Sequence, residues 1–197
     1  MKVRRDIISG KRVAILVSEN VEKRDLILPF EAINDAGGQA DLILTGADTP
    51  VSTLPINSEL ERHVFPLDSW ILSKSDHCYD AMVLPGRSVD AKTLRRQQGV
   101  VDFIRKWNER GALIAAICRA IHVISDAIDL RDRRLTSHPK LKRSLKRKGA
   151  NWIDQPVVVH HNLITSRTPD DLAAFNEALI TKLEGAPWPE EELEAAE

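Results

Sequence analysis

Hydrophobic residues follow two alternating patterns along the chain: short continuous runs, and longer segments with helical spacing. The runs Arg12–Ser18 and Ala40–Thr45 have the length and composition of strands buried in a parallel sheet. Between them, Arg24–Ala36 carries apolar residues on one helical face: Leu26, Ile27, Phe30 and Ile33. The Gly37–Gly38 pair ends this helix, and Pro29 inside it predicts a kink or a late start. These segments predict a β-α-β unit.

The alternation continues to Leu183, apart from a region between Asp48 and Asp76 that several prolines interrupt. Within that region Val51–Ile56 and His63–Pro66 are candidate short strands. Further strands are predicted at Tyr79–Gly86, Ala112–Ile117, Arg134–Ser137, Asn151–Asp154, Val157–His160 and Asn162–Ser166. Helices are predicted around Val100–Trp107, Ile121–Ile128, Pro139–Lys148 and Pro169–Leu183.

Strands that alternate with helices predict a mostly parallel sheet covered by helices on both faces, a three-layer α/β/α sandwich. We expect one domain over residues 1–185. Residues 186–197 are acidic and interrupted by proline, and we expect them to form a C-terminal extension outside that domain.

Composition narrows the class of protein. The chain has 197 residues, 43% of them hydrophobic and 29% charged, with a formal net charge of −1. This balance gives no overall attraction to nucleic acid or to anionic membranes. We expect no membrane span, because no apolar stretch approaches the required length of about 18 residues. Only Cys78 and Cys118 are present, so a disulfide framework is not expected and a reducing cytoplasm is the predicted location.

Cys118 lies where a predicted strand passes into a predicted helix. A side chain on such a turn projects from the carboxyl end of a sheet, where open α/β folds place their sites. The position matches a nucleophile elbow with cysteine in place of serine, and unpaired N–H groups at the helix start would favour the thiolate. A buried cysteine that acts only as a small apolar residue is the alternative interpretation.

Five stretches, taken in order, form a recognisable set: Tyr79–Gly86, Ala115–Cys118, Arg133–Ser137, Gly149–Trp152 and Asn162–Phe175. Together they resemble the PfpI family of intracellular proteases and protein deglycases. This family belongs to the class I glutamine-amidotransferase-like superfamily, which includes the parkinsonism-associated deglycase. The resemblance covers about Lys11 to Leu183 and implies a flavodoxin-like fold and a homodimer or larger homo-oligomer.

The resemblance also implies a set of site residues. The family's nucleophile corresponds to Cys118, and its glutamate after the first strand corresponds to Glu22. A carboxyl group beside a thiolate can stay protonated and donate a hydrogen bond, because two adjacent anions are unfavourable. The backbone N–H groups of Gly86 and Arg119 would form an oxyanion hole. Arg119 and Arg87 are expected to bind a substrate carboxylate.

The chain departs from the family at two positions. Arg119 replaces the histidine that usually follows the nucleophile, and arginine cannot accept the thiol proton. Arg87 replaces the second glycine of the usual Gly-Gly pair. Four histidines could substitute for the missing base: His122, expected to pack in its helix; His138; and His160 and His161, expected in an exposed tight turn. The histidines and cysteines lack metal-ligand spacing, so neither a metal nor a cofactor is predicted.

Three functions are compatible with these residues. The first is a cysteine-dependent hydrolase, or a deglycase or glyoxalase-type enzyme, acting on small-molecule or protein carbonyl substrates. The second is a non-enzymatic stress protein that senses oxidants through Cys118 or holds damaged proteins. The third is nucleic-acid binding through the basic residues between Arg131 and Lys148. It is disfavoured, because basic runs are usually solvated helix faces and stacking aromatic residues are absent nearby.

Overall fold

A seven-stranded sheet forms the centre of the protein. The computed structural model describes residues 6–18, 21–45, 58–66, 78–86, 94–96 and 98–188. The strand order is β3-β2-β1-β4-β5-β9-β8, parallel throughout except for the antiparallel edge strand β8. A small parallel pair, β6 and β7, lies outside this sheet. The strands are β1 (Arg12–Val17), β2 (Gln39–Leu44), β3 (Val64–Pro66), β4 (Ala81–Leu84), β5 (Leu113–Ile117), β6 (Arg134–Leu135), β7 (Asn151–Trp152), β8 (Val157–His160) and β9 (Leu163–Ser166).

Helices cover both faces of the sheet. Those described are α1 (Lys23–Asp35), α2 (Ser58–Glu61), α3 (Gln98–Glu109), α4 (Ile121–Ala127), α5 (Lys142–Arg147) and α6 (Leu172–Glu184). One buried cluster joins one sheet face to α3, α4 and α5 through residues such as Trp107, Ile124 and Leu145. A second joins the other face to α1 and α6 through residues such as Leu26 and Phe175. The predicted three-layer sandwich with a mostly parallel sheet is therefore confirmed.

Two details differ from the pattern-based expectations. Helix α1 begins at Lys23, so Pro29 does not delay its start, and the buried proline lies inside the helix. The predicted helix at Pro139–Lys148 divides into a 3-10 turn, Pro139–Leu141, and the short helix α5. The predicted strand near His63–Pro66 is confirmed as β3, whereas Val51–Ile56 lies outside the described residues.

Asp41 anchors the amino end of the sheet. Its Oδ2 accepts hydrogen bonds from the Tyr79 hydroxyl at 2.5 Å and from Arg12 Nη2 at 2.7 Å. Gln39 Nε2 donates to the other carboxylate oxygen at 3.2 Å. Burial alone would raise the pKa of Asp41, but these three donors outweigh it and the pKa lies below its usual value. The network therefore ties β1 and β2 to Tyr79, which lies two residues before β4.

The parallel order brings several strand ends to one edge. Strands β1, β4, β5 and β9 run in the same direction, so the residues that follow them lie at a common carboxyl edge. These are the connection into α1, the Pro85–Gly86 turn, Cys118 and Arg167. This edge is where an α/β sheet of this kind places a site.

Candidate active site

Cys118 occupies the turn between β5 and α4 in a left-handed backbone conformation, with a φ of 58°. A non-glycine residue held there costs on the order of 1–3 kcal/mol, so the surrounding structure must enforce it. Its N–H donates to the Ser166 carbonyl oxygen at 2.9 Å, and its own carbonyl accepts from the His138 N–H at 3.1 Å. The side chain is buried. The predicted elbow geometry is therefore present.

Gly86 makes this turn possible from the neighbouring strand. A Cβ atom at this position would lie 1.6 Å from the Ile117 carbonyl oxygen and 2.6 Å from the Ala120 nitrogen. Only glycine allows the two backbones to approach so closely. Gly86 thus abuts the cysteine turn, and its predicted role as an oxyanion donor stays a prediction. Arg87, the second residue predicted to bind substrate at this turn, lies outside the described residues.

The Arg119 amide, predicted to be an oxyanion donor, has a backbone partner in this structure. The Arg119 N–H donates to the Gly86 carbonyl oxygen at 3.0 Å, and the Ala120 N–H donates to the Ile117 carbonyl oxygen at 3.0 Å. To stabilise a developing oxyanion the Arg119 amide would have to share or exchange its bond to Gly86, so its oxyanion role stays a prediction. In this turn the N–H groups of Arg119 and Ala120 are both hydrogen-bonded to backbone carbonyls.

Two carboxyl groups lie at the start of α1, beside the end of β1. Glu22 is the N-cap residue of the helix and is half-buried. Asp25, one turn later, is completely buried at 0% exposure. Its neighbour Leu26 belongs to the same buried cluster as Cys118. Sequence reasoning selected Glu22 and missed Asp25. The missed signal is an acidic residue directly before the apolar stripe of the helix, where a solvent-exposed side chain is not expected.

His138 is the histidine that the fold brings to the cysteine turn, through its hydrogen bond to the Cys118 carbonyl. Burial lowers its pKa, and the charges of Arg119 and Lys140 lower it further, so the ring is neutral near pH 7. Its Nδ1 accepts a hydrogen bond from the Lys140 N–H at 3.2 Å. The neutral ring therefore carries its proton on Nε2 and presents a donor there.

The other candidate histidines, His122, His160 and His161, lie in a helix and in the β8–β9 hairpin. His122 is half-buried in α4, as predicted, and its Nε2 lies 3.4 Å from the Ser144 hydroxyl. Burial is the largest cause of its lowered pKa, to which Arg95, Lys148 and Arg119 contribute with their positive charges. His161 is exposed in the tight turn between β8 and β9, with a φ of 55°. His160, expected in the exposed turn, instead ends β8 and is half-buried; the two rings lie 4.1 Å apart, centroid to centroid, at an angle of 51°.

Ser166 contributes a buried hydroxyl at the same edge. The residue is 0% exposed, and its Oγ forms no hydrogen bond within the described part of the chain. Ser166 pairs with Ile117 in register, so its side chain points to the sheet face on which Ile117 packs. An unsatisfied buried hydroxyl is unfavourable by about 1–3 kcal/mol.

Neither a metal centre nor a membrane span emerges from the described residues. Among them, no three histidine, cysteine, aspartate or glutamate side chains are grouped so that they could hold a metal ion. No helix in the same part of the chain is long and apolar enough to cross a bilayer.

An α/β sandwich with a strained cysteine at a strand-to-helix turn defines the class of protein. The chain belongs to the DJ-1/PfpI family, whose family model matches residues 11–182. It is 29% identical over 181 residues to a Bacillus subtilis protein named "Putative cysteine protease YraA", an alignment that covers 88% of this chain and 99% of the relative. A Staphylococcus haemolyticus relative, named "Uncharacterized protein SH1084", is 31% identical over 175 residues, which cover 88% of this chain and 98% of the relative.

Solved structures share the fold. Drosophila melanogaster DJ-1beta aligns with a TM-score of 0.72 at 23% identity, over 89% of this chain and 91% of that protein. A two-domain protein from Anabaena variabilis, with DJ-1/ThiJ/PfpI-like and ferritin-like domains, aligns with a TM-score of 0.72 at 28% identity. The alignment covers 90% of this chain but only 50% of that protein. The flavodoxin-like fold that the resemblance implied is thereby confirmed.

Proposed function

We propose that the chain is a cysteine-dependent enzyme acting on small carbonyl compounds or on glycated adducts, with Cys118 as nucleophile. The observation that carries this proposal is the strained conformation of Cys118 at the sheet's carboxyl edge. Packing alone does not require a left-handed cysteine, whereas a nucleophile elbow does. The proposed setting is a single domain over residues 1–185 in a reducing cytoplasm.

An α-ketoaldehyde such as methylglyoxal is the simplest substrate for this chemistry. The Cys118 sulfur adds to the aldehyde carbon, and the carbonyl oxygen takes up a proton to give a hemithioacetal. A proton then moves from that carbon to the neighbouring one through an enediol, which converts the adduct into a thioester. Water hydrolyses the thioester to lactate and restores the thiol. The sum is one aldehyde and one water to one hydroxy acid, without an oxidant.

The acid partner of the thiolate comes from the start of α1 in this proposal. Glu22 is the residue that the family resemblance selected, and Asp25 is the residue that the structure buries. A protonated carboxyl in either position could donate a hydrogen bond to the sulfur and hold the proton during turnover. Burial favours Asp25 for this role, because desolvation stabilises the neutral acid.

In this proposal His138 supplies a hydrogen-bond donor and Arg119 supplies a positive charge near the cysteine turn. Because its Nδ1 is engaged by Lys140, neutral His138 can donate from Nε2 but cannot accept the thiol proton there. Arg119, together with Arg87, is proposed to bind the carboxylate of the substrate or product. Peptide hydrolysis is less compatible with this set, since it needs a base to return a proton to the leaving amine.

Turnover of methylglyoxal to lactate tests the proposal. Wild type should convert it and Cys118→Ala should not, whereas Cys78→Ala, which removes the exposed cysteine, should retain full activity. Purified wild type that forms no lactate from methylglyoxal, and releases no product from a glycated amine, would refute the enzyme proposal.

A second function is favoured because neither Arg119 nor the donor nitrogen of His138 can accept the thiol proton. In that alternative Cys118 is a redox sensor, whose thiolate peroxide oxidises to sulfenic acid with release of water. Peroxide-dependent mass gain on Cys118 without any carbonyl turnover would support the sensor.

A further inference from the structure

A continuous basic groove lies on the sheet face opposite α1 and α6. It is lined by Pro139 and five cationic side chains, all of them exposed: Lys140, Lys142, Arg143, Lys146 and Arg147. Helix α5 holds the groove in place, because Leu141 and Leu145 are buried in the core beneath it. Lys142 lies over the Trp152 ring, 4.6 Å from its centroid. The charges are therefore presented by a packed element of the fold.

These five cations have no carboxylate partner within the described part of the chain, whereas similar residues nearby do. Lys148 pairs with Asp126 at 2.9 Å, and Arg131 pairs with Asp129. None of the five groove residues forms an ion pair with a carboxylate in the described ranges. The sequence contains no aspartate or glutamate between Asp132 and Asp154. The groove thus concentrates positive charge in a chain whose net charge is −1.

The occupant expected from charge alone is anionic, and the chain itself contains a matching segment. Residues 190–197 include five glutamates and no cationic residue: Glu190, Glu191, Glu192, Glu194 and Glu197. The five glutamates match the five cations of the groove in number. A lipid surface fits less well, because the apolar side chains Leu141 and Leu145 are buried in the core.

Geometry favours the segment of a second copy over the chain's own. Helix α6 and Trp188 pack against one face of the sheet, whereas α5 packs against the other. Three layers separate these outer surfaces by about 30 Å. Glu190–Glu194 lie within six residues of Trp188, which span at most about 20 Å when fully extended. Four of the five glutamates of one chain, all except Glu197, therefore fall short of its own groove.

We propose that this basic groove binds the acidic segment 190–197 of a second copy of the chain. The contact gives the expected homo-oligomer a specific, salt-sensitive interface. It is independent of catalysis, so the Cys118→Ala chain should associate like wild type. Failure of the enzyme proposal therefore leaves this test intact.

The test is a charge swap in the full-length chain, followed by sedimentation at low salt. Lys142→Glu with Lys146→Glu, or Glu191→Lys with Glu194→Lys, should each weaken self-association by roughly tenfold or more, since like charges then face each other. Combining all four substitutions should restore it to within about threefold. Arg62→Glu with Lys106→Glu, exposed cations outside the groove, is the matched control and should change nothing.

Several results would overturn the proposal. One is a wild-type chain that is monomeric at micromolar concentration. Another is a double variant, in the groove or in the acidic segment, that associates like wild type. A third is a quadruple variant that does not regain self-association although its circular dichroism spectrum is native. Retention of a duplex oligonucleotide by the groove, unchanged by Glu191→Lys with Glu194→Lys, would assign the surface to nucleic acid instead.

Discussion

The backbone N–H of Arg119 donates a hydrogen bond of 3.0 Å to the carbonyl oxygen of Gly86. This bond joins the turn after β5 to the turn after β4 and holds Cys118 in its left-handed conformation. The residue that replaces the family's usual histidine therefore has two separable parts. Its amide is a structural element of the elbow, and its side chain adds positive charge to the site. Substitution at position 119 should change the second without disturbing the first.

Gly86→Ala should disrupt the elbow. The added methyl would lie 1.6 Å from the Ile117 carbonyl oxygen, so the two turns must separate. We expect a loss of unfolding free energy of roughly 3 kcal/mol or more, together with loss of Cys118 reactivity. Gly99→Ala is the control, since an added Cβ there meets no atom within 4 Å, and it should be neutral or slightly stabilising. Equal stability of the two variants in urea would contradict this account of the turn.

Arg119→His should raise Cys118-dependent hydrolysis of an activated ester above the wild-type rate, by about tenfold or more if the missing base is the limiting defect. Arg119→Gln removes the charge without adding a base and is the matched control. In that control the pKa of His138 should rise toward its ordinary value, because one of the cations that lower it is gone. An NMR titration of the His138 ring checks this. A folded Arg119→His variant no faster than Arg119→Gln would show that the missing base does not limit the rate.

Asp25→Asn and Glu22→Gln separate the two candidate acid partners of the thiol. Removing the true partner eliminates a proton donor beside the sulfur, so alkylation of Cys118 near neutral pH should slow by about tenfold. We expect this effect for Asp25→Asn, because Asp25 is completely buried and Glu22 is not. Mass spectrometry of iodoacetamide-treated protein gives the rates. A larger effect for Glu22→Gln would restore the assignment made from sequence.

Tyr79→Phe should reduce stability through Asp41, far from the cysteine. The variant loses a hydrogen bond of 2.5 Å to a buried carboxylate, which is worth about 1–3 kcal/mol. Because the folded pKa of Asp41 is lowered, its contribution is fully present above the unfolded pKa of about 3.9 and is lost as pH falls through the folded value. Wild type and variant should therefore differ at pH 7 and converge in acid. Methylglyoxal turnover should remain unchanged, and a constant difference across pH would argue against the Asp41 linkage.

The sequence carried most of the fold, because buried parallel strands leave continuous apolar runs such as Arg12–Val17 and Leu113–Ile117. The same patterns located Cys118, because the elbow lies where the continuous apolar run of a strand ends and the helical spacing of apolar residues begins. Hydrogen bonding could not be read in this way. The bond from the Arg119 amide to Gly86 depends on the close approach of two segments that are distant in the chain. The His138 tautomer depends on the geometry of the short turn that places the Lys140 amide against its ring. Asp25 was missed because its burial depends on packing across α1 and the sheet.

The alkylation rate of Cys118 as a function of pH tests the central claim most directly. The account predicts a midpoint below the value of about 8.5 for a free thiol, because the charge of Arg119 and a protonated carboxyl from α1 outweigh the opposing effect of burial. Exposed Cys78, followed in the same samples, serves as the internal reference and should react more slowly near neutral pH. A Cys118 midpoint at or above that of a free thiol, or faster modification of Cys78 in folded protein, would contradict the account.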